Sequence, residues 1–277
     1  MDTCLRYFPA DWSEGCIVPL NNKGDTDDVC NNRGITLLST FGKLFTKVLN
    51  DRLNVWAEKY HVYIEAQAGF RQHMGTVDII FCISWSHNTY ILNNKKTLYT
   101  AFVDFTKAFG YLVRDVIWYK LIKYGVRGKM LDIIKSMYEN VRSRVKHNNT
   151  LSEDFSCFLG VRQGESLSPF LFSMYLNDIE EHFILNGFEG IDLDMSKLFL
   201  LLYADDIVIM SETEEGLKHS LFLLEKYSDR WKLTVNATKT KVKIFRKGRR
   251  INRNIRFIYK GHVLEIVSKF TYLGIVF

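Results

Sequence analysis

Tyr203-Ala204-Asp205-Asp206 lies between two apolar runs, Leu198–Leu202 before it and Ile207–Met210 after it. Each run has the length of a buried strand, so the four residues read as the tip of a tight hairpin. Two adjacent carboxylates at such a tip repel each other unless a cation offsets them. A hydrated Mg²⁺ suits that task, because this hard ion takes one or two carboxylates together with phosphate oxygens. A solvated Asp-Asp turn is the competing reading, and the four residues alone do not decide between the two.

A second apolar run, Thr97–Val103, ends at Asp104. If this strand pairs antiparallel with the one after the Asp-Asp tip, three carboxylates converge. Two-metal phosphoryl transfer needs that arrangement: one ion activates an attacking 3′-hydroxyl and the other stabilises the leaving pyrophosphate. The competing reading of Asp104 is a strand-end residue making a local cap.

Around these strands the pattern predicts an α+β order. Gly15–Leu20 and Gly34–Leu38 read as a hairpin with a polar tip, Asn21–Asn32, that contains Lys23. A helix follows, capped by Ser39 or Thr40, with Leu44, Phe45, Val48, Leu49, Leu53 and Trp56 at helical spacing. Further helices are predicted over Thr76–Asn88, Val113–Tyr124 (closed by Gly125) and Lys129–Asn140. Arg142–Lys146 and Glu153–Leu159 read as a strand pair. Ser168 and Pro169 open a helix that the apolar spacing continues through Phe183. A helix over Glu214–Lys232, a strand at Lys241–Phe245 and a final apolar segment complete the chain. The expected architecture is an antiparallel sheet with helices packed on one face.

Composition sets the bounds. The chain has 277 residues, 47% apolar and 14% aromatic, enough for a sizeable core. Its 3 prolines and the lack of a Gly/Ser-rich linker predict one compact body of connected lobes. Five cysteines, with no C-x-x-C pair, argue against a disulfide framework or a zinc site and for a reducing compartment. No signal peptide or membrane-length apolar run is visible, so the expected location is intracellular, in nucleus or cytoplasm. Net charge is only +6, yet Arg230–Leu264 holds 12 basic residues and no acid. Cations interleaved with Trp231, Phe245, Phe257 and Tyr259 suit a phosphate backbone; a solvated strand face is the plainer reading.

Phe102-Val103-Asp104-Phe105-Thr106-Lys107-Ala108-Phe109 resembles motif A of reverse transcriptases from non-LTR (LINE-type) retrotransposons. Gly160-Val161-Arg162-Gln163-Gly164-Glu165-Ser166-Leu167-Ser168-Pro169 is similar to their motif B, in its LINE-type Arg-Gln-Gly form. Tyr203–Asp206 is similar to motif C, Lys239-Thr240-Lys241 to motif D and Tyr272-Leu273-Gly274 to the primer grip. Upstream, Asn32-Arg33-Gly34-Ile35 and Gln67-Ala68-Gly69-Phe70-Arg71 resemble the fingers motifs. The blocks occur in the family's order from Asn32 to Gly274.

The resemblance implies the fingers (about 1–95 and 118–155) and palm (about 96–117 and 156–277) of a right-hand polymerase, and the expected departure in extent is a missing thumb. It implies RNA-templated addition of dNTPs to a DNA primer, with two Mg²⁺ ions or Mn²⁺ in their place. Asp104 and Asp205 would ligate the metals, the Phe105 backbone carbonyl would add a ligand, and Asp206 would be a secondary carboxylate. Lys239 would donate a proton to pyrophosphate, with Lys241 as rival. Phe109 stands at the steric gate that excludes a ribose 2′-hydroxyl. Lys23, Arg33, Gln163 and Gly164 would meet the nucleotide; Arg71, Tyr272, Leu273 and Gly274 would meet the nucleic acid. Three departures stand out: Gly110 where Asp is usual, Asn32 where Tyr is common, and Glu165-Ser166 in place of Asp-Pro or Cys-Pro. The missing thumb and Gly110 motivate one alternative, a nucleic-acid-binding remnant without useful catalysis; a metal-dependent nuclease using the same carboxylates is a third, weaker reading.

Overall fold

The computed structural model describes residues 8–21, 25, 31–93, 96–148, 150–188, 190–193, 196–247 and 254–277. Lys23, Cys4 and Cys30 lie outside them. In chain order the elements are β1 (Glu14–Asn21), β2 (Asn32–Leu38), α1 (Thr40–Lys59), α2 (Thr76–His87), β3 (Leu98–Val103), α3 (Arg114–Lys123), α4 (Lys129–Glu139), β4 (Arg142–His147), β5 (Thr150–Leu151) and β6 (Phe155–Ser156). There follow α5 (Ser168–Leu176), α6 (Ile179–Leu185), β7 (Ile191–Leu193), β8 (Ser196–Leu198), β9 (Leu200–Tyr203), β10 (Asp206–Ser211), α7 (Glu214–Trp231), β11 (Lys241–Phe245), β12 (Phe257–Tyr259), β13 (His262–Val267), β14 (Thr271–Tyr272) and β15 (Ile275–Val276). The mixed α+β class is as the sequence predicts. Two compact units emerge, Met1–Val62 with Phe109–Tyr175, and Tyr63–Ala108 with Leu176–Phe277.

The first unit is built on a sheet in the order β2-β1-β4-β5, with β6 also paired to β4. β1 and β2 form the predicted antiparallel hairpin, Gly15 opposite Leu38 through Asn21 opposite Asn32. β1 and β4 run parallel. The predicted strand Glu153–Leu159 is reduced to the two residues of β6. α1 begins where expected but turns a different face inward. It buries Gly42, Thr46, Leu49, Leu53 and Ala57, while Leu44 and Val48 from the predicted stripe are 63% and 50% exposed. Local aromatic packing sets that rotation: Phe45 packs on Phe8 and Trp12 with ring centroids 5.9 and 6.0 Å apart. Gly42 presses against Trp12, where a Cβ would lie 3.3 Å from that residue's Cβ. Gly125 closes α3 at φ +101°, a left-handed turn that glycine adopts without penalty.

The second unit carries a sheet in the order β12-β13-β11-β3-β10-β9. Its pairs are antiparallel apart from β11 with β13, which is parallel. β3 is central, and the four side chains Ile207–Met210 of β10 are fully buried. Burial of such side chains contributes about 1.5–3 kcal/mol each. Strands apolar on both faces need cover on both, and they have it. Leu98, Phe102, Leu201, Val208, Met210 and Phe245 form one cluster with Ile79 and Ile83 of α2. α7 contacts β3 and β10, on the face presented by the alternate side chains. The helices therefore lie on both faces, not on one.

Two further expectations change. The helix predicted to run from Ser168 through Phe183 is broken at Asn177-Asp178 into α5 and α6. These residues carry tertiary bonds instead: Asn177 Oδ1 accepts from Ile64 N–H (3.1 Å) and Asp178 Oδ1 from Tyr227 O–H (2.7 Å). The basic segment is not one free cationic face. Lys241 pairs with Glu265, Lys260 with Asp229, and Lys243 is buried with its Nζ donating to Ser268 O. Among the described residues Cys16, Cys82 and Cys157 are free thiols, and no helix is long and apolar enough to cross a membrane.

Candidate functional site

The hairpin predicted from Tyr203–Asp206 is present. Tyr203 pairs with Asp206 across a two-residue loop of Ala204 and Asp205. Ala204 has φ +59°, the sign that a type II′ turn demands at its first loop position, where glycine is the easier occupant. An alanine held there carries about 1–2 kcal/mol of strain. The neighbouring segment holds it in place: Ala68 N–H donates to Leu202 O (2.9 Å) and Leu202 N–H to Ala66 O (2.8 Å). Gly69 lies against the turn so closely that a Cβ would come 2.1 Å from Ala204 N. Gln67-Ala68-Gly69 thus acts as a brace for the Asp-Asp tip.

β10 pairs antiparallel with β3, with Ile207 opposite Val103. One further step of that ladder sets Asp206 opposite Asp104. The Asp104 backbone is fixed from the other side, its N–H donating to Thr240 Oγ1 (3.2 Å) and its carbonyl accepting from Asn236 N–H (2.8 Å). Burial pushes the Asp104 carboxyl above its ordinary value, Lys239 pulls it down and Asp205 pushes it up. The two carboxylates and Lys239 therefore lie within electrostatic reach, and the net effect on Asp104 is that of a partly buried acid short of positive charge.

Thr106 N–H donates to Thr234 O (2.8 Å). Successive peptide groups of a strand point to opposite sides, so the Phe105 carbonyl is turned away from Thr234–Asn236, toward the side on which β10 lies. Asp104, Asp205 and this carbonyl form an oxygen-only donor set, the chemistry that a hard divalent cation selects. Among the described residues no group of three or more His, Cys, Asp and Glu side chains could hold an ion by itself.

Tyr272 is brought to the same place. Burial holds its phenol far above the ordinary range, with Asp206 and Asp205 adding to the effect, and its oxygen has no hydrogen-bond partner among the described residues. Its hairpin, β14–β15, turns through Leu273 at φ +47° and Gly274 at φ +84°. Phe102, two residues before Asp104, stacks on Phe270 at 4.5 Å and lies 5.2 Å from the Tyr272 ring. Arg71 is turned inward: Nη1 donates to Ile64 O and Gln67 O, 3.3 Å each, and the guanidinium covers the Tyr63 ring at 5.2 Å.

The first unit gathers Arg33, Gln163 and Gly164. Thr36 N–H donates to Gln163 O (2.8 Å). With its amide oriented to satisfy both ends, the Gln163 side chain accepts from Arg33 Nε (3.2 Å) and donates to Gly34 O (3.3 Å). Gly164 has φ +110°, and a Cβ there would lie 2.8 Å from Thr36 O. Phe109 is half-buried and stacks on Phe172 at 4.8 Å. Its carbonyl accepts from Val161 N–H (2.8 Å), which ties it to the loop that carries Gln163. Sequence reasoning missed Gly69 and Thr240 as supports; each stands inside a block already singled out, but only the neighbouring strand reveals what it touches.

The family model for reverse transcriptase (RNA-dependent DNA polymerase) matches residues 22–277. The chain belongs to the reverse transcriptase family. Named relatives are the Drosophila melanogaster protein "Probable RNA-directed DNA polymerase from transposon BS", 27% identical over 98% of this chain, and the RNA-directed DNA polymerase from mobile element jockey, 24% identical over 85%. The chain spans 30% and 26% of those relatives' lengths. Among solved structures, apo telomerase from Candida tropicalis aligns with 96% of this chain and 47% of its own, at a TM-score of 0.63 and 14% identity. That likeness is one of fold, and it agrees with the polymerase architecture expected of a reverse transcriptase.

Proposed function

We propose that this chain is the polymerase core of a non-LTR retrotransposon reverse transcriptase, adding dNTPs to a DNA primer 3′ end on an RNA template. The observation that carries the reading is the meeting of Asp104 with the Asp205-Asp206 turn at one end of a buried sheet. Asp104, Asp205 and the Phe105 carbonyl would hold divalent metal, Mg²⁺ or Mn²⁺, as a pair of ions. The bound metal would activate the primer 3′-hydroxyl and neutralise the triphosphate. Asp206, next to Ile207 at the end of that ladder, is assigned the place of a secondary carboxylate. Lys239 acts on Asp104 in the resting site and is the candidate proton donor to the leaving pyrophosphate. Lys241, paired with Glu265, is the weaker choice.

Arg33, Gln163 and Gly164 form the shelf assigned to the nucleotide, and Lys23, outside the described residues, is assigned to the same role. Gly164 lets backbone approach closely, and the Arg33 guanidinium suits triphosphate oxygens. Phe109 is assigned the role of gate, its ring held by Phe172 against a ribose 2′-hydroxyl. Tyr272, Leu273 and Gly274 are assigned to the primer, and Arg71 supports the brace segment next to it. Such a reaction belongs in nucleus or cytoplasm, where RNA and dNTPs meet.

The test is primer extension by the purified chain on poly-rA with oligo-dT, dTTP and Mg²⁺. Extension is expected, and EDTA is expected to stop it; extension that persists in EDTA would overturn the metal assignment. RNA retention with no extension in any divalent ion would favour a binding-only remnant. Phe109→Val should raise rNTP relative to dNTP incorporation by about 10²-fold, the scale on which an apolar wall rejects one hydroxyl. Unchanged discrimination would remove Phe109 from the gate.

A further inference from the structure

Behind the Gln163–Gly164 turn lies a charged network that catalysis does not use. Arg162 and Glu165 form an ion pair (Nη2 to Oε1, 3.2 Å) with side chains only 5% and 1% exposed. Tyr138 O–H donates to Glu165 Oε2 (2.6 Å). Burial and the adjacent carboxylate hold that phenol far above its ordinary range, so it remains a donor. Arg162 donates to Ser13 O and to Met137 O, 3.2 Å each, and its own carbonyl accepts from Ser168 Oγ (2.7 Å). Arg114 completes the set, donating to Gly160 O (3.1 Å) and Tyr138 O (2.8 Å) and covering the Tyr138 ring at 5.2 Å.

This network is a poor device for stability alone. Well-packed apolar side chains commonly replace a buried ion pair without loss of stability, and Arg162 Nε is buried with no hydrogen-bond partner among the described residues. What it does supply is direction. Its members bracket the loop on both sides of Gln163, from Gly160 to Ser168, and that loop in turn holds Phe109 O through Val161 N–H and Thr36 N–H through Gln163 O.

We infer that Arg162, Glu165, Tyr138 and Arg114 are positioning residues for nucleotide selection, fixing the turn that presents Gln163 to Arg33 and seats Phe109. The inference rests on the polymerase reading above and assigns a purpose to the Glu165 departure from the family pattern.

The test compares wild type with Glu165→Gln, Tyr138→Phe and the double variant Arg162→Met/Glu165→Leu in the full chain. Three readouts are taken: the dTTP KM and kcat on poly-rA with oligo-dT, thermal melting, and hydrogen exchange at the Thr36 amide. The double variant is expected to melt within about 5 °C of wild type. Its KM should rise about tenfold or more, with kcat within about threefold, since small misplacements of a binding group are costly. Thr36 exchange should quicken, and Tyr138→Phe should move KM and exchange in the same direction by less. A well-folded double variant with wild-type KM and wild-type Thr36 exchange would overturn the inference. If the double variant does not fold, Tyr138→Phe decides on the same two readouts. If wild type itself extends no primer, the polymerase reading fails first, and Thr36 exchange still reports whether the network holds the turn.

Discussion

Asp205→Asn is expected to lower templated dTTP incorporation by about 10³-fold or more, with little change in melting temperature. Asparagine keeps the size of the side chain and its place in the turn, and removes only the charge. Preorganised charge at a reacting centre is worth more than in water and is the largest single contribution in many enzymes. The Asp205 charge pushes the Asp104 carboxyl up. Removing it lets the Asp104 value fall, so the substitution does not lower activity by adding to the protonation of Asp104. Single-turnover extension with saturating primer–template reads the effect. Incorporation at the wild-type rate would remove the carboxylate pair from the mechanism.

Gly69→Ala should be the most damaging substitution that alters no charged or reacting group. Its new methyl would stand 2.1 Å from Ala204 N and 2.9 Å from Tyr203 C. Both contacts are backbone, so no flexible side chain can give way, and the turn carrying Asp205 has to move. Overpacking of this kind costs about 1–3 kcal/mol, and a chain of this size loses about 2–4 °C of melting temperature per kcal/mol. A displacement near 1 Å at the carboxylates should lower extension by about 10²-fold. Gly110→Ala is the internal control, because a Cβ there meets nothing within 4 Å. Equal behaviour of the two variants would show that the brace does not govern the tip.

The parts of the site that were legible in the sequence are those where chemistry coincides with a local pattern. Apolar runs of strand length broken by Asp104 and by Asp205-Asp206 located both ladder ends, and the register then brought them together. Periodicity was less informative where tertiary partners compete with it. The α1 stripe was misjudged at Leu44 and Val48 because Phe8 and Trp12, distant in pattern, set the helix rotation. The break at Asn177-Asp178 is invisible to spacing, since α5 and α6 both bury apolar side chains. Buried charge was the largest blind spot. Lys120, Arg162, Glu165 and Lys243 are all buried, yet nothing in the residue string separates them from charges on a solvated face. Apart from the Arg162–Glu165 pair itself, their hydrogen-bond partners are carbonyls and one phenol, which have no sequence signature.

The central place of β3 has a bearing on the order in which this molecule comes apart. A middle strand opens only after ladders on both flanks have been released, so Asp104, at the end of β3, is expected to be among the last parts of its unit to open. Warming or mild denaturant should fray margins such as β12 long before the acidic end of β3 drifts. Failure under stress would then begin at the rim, with the chemistry at the centre the last thing to go.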